Sequence, residues 1–206
     1  MTNNHNSKDQ DYQIRDELGT TIYALQSIVT QGRRVIHDHN RDRTEGLSIH
    51  SLLNTTTRMD EMFFLSVLTQ AFRWLDDLEK LIPEFEPTFS EFKKMAGGRN
   101  AKTIRNKREH ADEIYGSKQK NSKKEDPLFT VSTTGGPTIN MSSSVTDLSG
   151  GRVVLGGRVD VQATVEAAAT LVETLRPVQL RYWTTTTRRG REDIKHFLSP
   201  KELISH

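Results

Sequence analysis

The stretch that most constrains this chain is the apolar seam between Leu52 and Ile82. Met59, Phe63, Val67, Ala71, Trp74, Leu78 and Ile82 recur every three or four residues, and Met62, Leu68, Phe72 and Leu75 widen the stripe. A helical stripe that broad predicts a central, largely buried helix, which other helices must cover. Pro83 predicts its end. A chain of 206 residues is long enough to supply those partners within one core.

The partners are visible on both sides. Upstream, Ile14, Leu18, Ile22, Leu25 and Val29 predict a helix from Asp11 that runs to about Ile36. The first ten residues read as a disordered tail, and His37 to Gly46 (HDHNRDRTEG) as a polar linker. Within that linker His37 and His39 would face different sides of a helix, and no third ligand is evident, so His37-Asp38-His39 is read as solvated rather than metal-binding. Downstream, Phe85, Phe89, Phe92 and Met95 predict a short helix stopped by Gly97-Gly98. A fourth helix is expected from about Asn100 to Tyr115, closed by Gly116.

Beyond Pro127 the texture changes. LFTVS, TINMSSSV and RVVLGGRV lean towards β structure, and TGGP and DLSGG between them are turn signals, so a three-stranded meander is expected over about residues 128–160. A last helix follows from about Val161 to Arg176, with Val165, Ala168, Val172 and Leu175 on its apolar face, Asp160 as N-cap and Pro177 as stop. The expected fold class is mainly α: a helical bundle with a small antiparallel β meander inserted before the last helix. Residues 11–176 would form its single domain and residues 177–206 a C-terminal tail.

Composition narrows the function classes. The chain has no cysteine, which excludes disulfides, thiolate zinc sites and a cysteine nucleophile, and is compatible with the cytoplasm. MTNNHNSKDQDYQ has no apolar core of the kind a secretory signal needs. The longest apolar run, Met62 to Leu68, is broken by Ser66 and is far too short to span a bilayer. A net charge of +2 does not by itself argue for nucleic acid; only clustering can. GGRVVLGG has neither phosphate-loop nor dinucleotide-binding spacing, so its glycines read as turns or a bulge.

Chemistry concentrates on the fourth helix. At about 100° per residue, Ala101, Ile104, Ala111 and Tyr115 fall on one side, and Arg105, Asn106, Glu109, His110 and Glu113 on the other. A guanidinium, an amide, an imidazole and two carboxylates within a few turns can bind a phosphodiester and move a proton. The same residues also suit a solvated face with an Arg105–Glu109 pair worth a few tenths of a kcal/mol. Lys118, Lys120, Lys123 and Lys124, in the loop that follows, could attract RNA phosphates or simply be solvated.

The segment RNKREH, Arg105 to His110, resembles the Arg-polar-x-x-x-His signature of the HEPN superfamily (higher eukaryotes and prokaryotes nucleotide-binding). Other Arg and His pairs of similar spacing occur, such as Arg34 with His39, but only Arg105 is followed by asparagine on a predicted helix behind a long apolar one. The resemblance spans roughly Leu52 to Tyr115. It implies a helical bundle, frequently a homodimer, and for many members metal-independent RNA cleavage in toxin–antitoxin or antiviral systems. His110 would then be general base or acid, Arg105 would steady the phosphate, and Asn106 would position its neighbours, with Glu109 and Glu113 supporting. No metal or cofactor is implied; the expected partners are RNA, a second copy and an antitoxin. A non-catalytic helical module that binds a protein or nucleotide through the same face is the alternative. A domain whose exposed β edge pairs with a partner is a third.

Overall fold

Along the first helix one residue is buried after every fourth and then third step: Ile14, Leu18, Thr21, Leu25, Ile28, Gly32, Val35 and His39. That alternation is the seam of a helix packed lengthwise against others. It belongs to α1, Asn4–Thr44, in a computed structural model that describes residues 4–44, 55–109, 129–132, 138–141, 146–147 and 151–186. The helix is longer at both ends than expected. It begins inside the expected tail, and it runs into the expected linker as far as Thr44 because His39 continues the buried seam instead of ending it.

Helix α2, Thr55–Leu81, and α5, Val161–Thr186, pack along α1 to make the bundle. The buried line of α2 is Glu61, Phe64, Leu68, Ala71, Leu75 and Leu78, with Ile82 just beyond. This corrects the expected seam at its N-terminal half: Met59 and Phe63 are 52% and 54% exposed. The helix turns residues 61, 64 and 68 inwards because α1 and α4 pack on it, and no described element covers Met59 and Phe63. Fully buried Phe64, Leu68 and Leu75 each contribute roughly 1.5–3 kcal/mol.

Between α1 and α5 the approach is close. A Cβ at Gly32 would stand 2.2 Å from Val165 Cγ2 and 3.1 Å from the Phe64 ring, so the seam needs a residue without a side chain there. Asp160 caps α5 as expected, its Oδ1 accepting the Ala163 N–H at 2.9 Å. Pro177 does not stop the helix, which continues to Thr186. The ring costs one backbone hydrogen bond. Beyond it Val178 is buried, Tyr182 packs on the core, and Tyr12 of α1 donates its hydroxyl to the Thr186 carbonyl at 2.9 Å. These contacts hold the last turns in place.

A single 3-10 turn, Pro83–Phe85, leads into α3, Glu86–Met95, whose Phe89 and Phe92 are buried. Phe92 meets Phe72 edge-on at 6.1 Å, and Phe85 stacks on Phe89 at 6.0 Å. Helix α4, Arg99–Glu109, packs on α2 through Ala101 and Ile104. Residues 110–115, the rest of the expected fourth helix, lie outside the described residues.

Before α5 the chain is antiparallel β, as expected, but in two separate sheets rather than one three-stranded meander. Strands β1, Phe129–Ser132, and β2, Thr138–Met141, pair with each other, while β3, Thr146–Asp147, β4, Val154–Leu155, and β5, Val159–Asp160, form a meander in chain order. RVVLGGRV is therefore a hairpin rather than one strand. Gly156 and Gly157 turn it with φ of 56° and 62°, and the Arg158 N–H closes it on the Leu155 carbonyl. No described helix is long and apolar enough to cross a membrane.

Candidate functional site

Helix α4 has two polar faces. On the outer one, Arg105 Nη2 donates to Asn106 Oδ1 at 2.9 Å, and Arg105 Nε lies 3.4 Å from Glu109 Oε2. Arg105 and Asn106 are half-buried and Glu109 is exposed. Both contacts are made within about one turn of the helix, so the guanidinium is paired with its own helix neighbours. Of the expected site, the structure brings together Arg105, Asn106 and Glu109. His110, Glu113, Lys118, Lys120, Lys123 and Lys124 lie outside the described residues.

On the inner face is a group that the expected site did not include. Arg108 continues the buried line of Ala101 and Ile104 at a further step of four. Its Nη1 donates to Glu61 Oε2 of α2, and its Nη2 donates to Thr146 Oγ1 of β3 at 3.1 Å. The Thr146 hydroxyl in turn donates a hydrogen bond to Glu61 Oε1 at 2.7 Å. His39 Nε2 meets the same oxygen at 2.7 Å. Both carboxylate oxygens are thus occupied by donors from three other elements. The His39, Glu61 and Arg108 side chains are only 5%, 5% and 6% exposed.

The electrostatics follow from that geometry. Burial pushes the Glu61 carboxyl up, but the His39 hydrogen bond, the Arg108 charge and the Thr146 hydroxyl outweigh it, and the net shift is below the ordinary glutamate value. Glu61 is therefore an anion, and His39 must present a hydrogen on Nε2. His39 Nδ1 and Arg108 Nε make no hydrogen bond among the described residues. A cluster of this kind is a poor source of net stability but is costly to break, about 3–5 kcal/mol when one partner of a buried pair is removed.

Neighbouring Asp60 behaves oppositely. Burial, then a hydrogen bond and repulsion from Asp38, raise its carboxyl above the ordinary value, and Arg34 only partly opposes them. His37 is on the solvent side, bonded to Asp38 at 3.3 Å and separate from His39. The expected solvated linker is thus corrected at one residue in particular: His39 is core. Among the described residues no group of three or more His, Asp or Glu side chains is arranged to hold a metal ion.

Sequence reasoning assigns no role to Glu61 or Arg108 and places His39 in a solvated linker. Their signal was positional. Each occupies the next three- or four-residue step of its helix's apolar line, where a charged residue must find a buried partner.

The fold and this cluster define a helical bundle whose α1, α2, α4 and β meander are joined by one buried carboxylate. A scan of protein-family models finds no match to the chain, nor does a search of curated proteins or of solved structures.

Proposed function

We propose that the protein is a HEPN-like, metal-independent endoribonuclease that acts in the cytoplasm as a toxin or phage-defence effector. The observation that carries this is the pairing of Arg105 with Asn106 on the outer side of α4, immediately ahead of His110. An amide that orients a guanidinium, with an imidazole four residues further along the sequence, is a set that can bind a phosphodiester and move a proton.

In the reaction, His110 takes the proton of an RNA 2′-hydroxyl, whose oxygen attacks the adjacent phosphorus. The bond from phosphorus to the 5′-oxygen breaks, and that oxygen leaves with the proton that His110 took up, which returns the imidazole to its neutral form. The products are a 2′,3′-cyclic phosphate and a 5′-hydroxyl. Arg105 neutralises charge that develops on the phosphoryl oxygens. The nucleophile belongs to the substrate, so the step calls for no metal. Lys118, Lys120, Lys123 and Lys124 supply phosphate contacts along the strand, and a second copy of the chain and an antitoxin are the proposed protein partners.

The test is cleavage of a broad RNA panel in EDTA, with the ends identified. Wild type should leave cyclic phosphate ends. His110→Ala should lose about a hundred- to ten-thousand-fold in rate, the usual range for a general acid–base group, while remaining folded. If wild type cleaves nothing, or His110→Ala cleaves equally well, α4 belongs instead to a non-catalytic binding module.

A further inference from the structure

Arg108 lies between the residues proposed to do chemistry: three after Arg105, two after Asn106 and two before His110. At about 100° per residue it projects about 60° from Arg105 and about 160° from Asn106. Seating Arg108 in the core therefore sets Asn106 towards the opposite side of the helix and Arg105 nearer the margin, and both are half-buried. What seats Arg108 is Glu61, and what completes the seat is Thr146, which accepts from Arg108 and donates to Glu61. His39 occupies the remaining approach to the same carboxylate. The contacts come from sequence positions as far apart as 39 and 146, so the last described turn of α4 is held by the tertiary fold rather than by its own propensity.

We infer that Glu61 and Thr146 are positioning residues for the site on α4: through Arg108 they fix the rotation of the turn that presents Arg105 and Asn106. Neither touches substrate. The role rests on the ribonuclease function proposed above, and a second, activity-independent readout separates the two.

The experiment uses the full-length chain as wild type, Thr146→Val, Thr146→Ser and Glu61→Gln. Three quantities are read: amide hydrogen exchange at residues 105–109 against α3 as internal reference, the single-turnover rate on an oligoribonucleotide, and the Kd for its non-cleavable 2′-deoxy counterpart. Thr146→Val, nearly isosteric, removes two hydrogen bonds and should fold even where Glu61→Gln does not. It should speed exchange at residues 105–109 and slow cleavage, each by about tenfold, the scale of one or two net hydrogen bonds. The Kd should stay within about twofold, since loss of alignment acts on the transition state rather than on binding. Thr146→Ser, which restores the hydroxyl, should restore both. If wild type is active but exchange at residues 105–109 is unchanged in Thr146→Val, the positioning role is rejected alone. The same holds if exchange rises while cleavage does not fall, because the cluster would then be structural only. A wild type that cleaves no RNA rejects the ribonuclease function itself.

Discussion

The two faces of α4 hold arginines three residues apart that obey different physics. Arg105 is paired with Asn106 and Glu109, neighbours one and four residues away on the same helix. Arg108 is paired with Glu61 and Thr146, which are 47 and 38 residues away. The outer pair sits at the solvent boundary, where an ion pair is screened and contributes little. The inner one is dry, and both of its partners must be present for either to be tolerated. A polar residue beside solvent is free to serve chemistry, whereas a polar residue inside a seam is committed to the fold.

Truncating each face gives the largest test of that difference. Glu61→Ala should destabilise the protein by about 3–5 kcal/mol, since it leaves Arg108 and His39 buried without their acceptor. Glu109→Ala, on the outer face, should change stability by no more than about 0.5 kcal/mol. Denaturant unfolding of the two variants measures both. Comparable losses would show that the faces are not distinct.

How much of this was legible depended on the range of the interaction. Ala101 and Ile104 marked the buried side of α4 correctly from spacing alone, and Asp160 announced the start of α5 through its side-chain oxygen. Local rules suffice for such features. The step from Val35 to His39 is also present in the spacing, but the polar run HDHNRDRTEG reads as a linker and masks the seam that His39 extends. Glu61 was hidden in the same way by Met59 and Phe63, whose exposure reflects where α1 and α4 lie, a fact about tertiary packing that periodicity does not contain. Pro177 misled because its local cost is outweighed by contacts made further along, at Val178 and Thr186.

A smaller effect sharpens the comparison through pH. Glu61 is lowered in the folded protein, so its contribution is fully present above its ordinary value of 4.5 and is lost as pH falls through the lower folded value. Asp60 is raised above its ordinary 3.8, so the folded state holds its proton longer, and its contribution instead diminishes as pH rises through that window. Glu61→Gln should therefore flatten the acid limb of a stability–pH profile, and Asp60→Asn should steepen it. Identical profiles for the two variants would contradict the assignment of opposite environments to adjacent acids.

The most direct measurement is a double-mutant cycle between Glu61→Gln and Arg108→Met, read as unfolding free energy at neutral pH. Residues that act as one buried unit are coupled by about 0.5–3 kcal/mol, whereas independent sites add within about 0.3–0.5 kcal/mol. The shared hydrogen bonds of Glu61, Arg108 and Thr146 predict a coupling at the upper part of that range, with the second substitution costing far less once the first is made. Additivity within about 0.5 kcal/mol would contradict the account, because Arg108 would then not be held by Glu61.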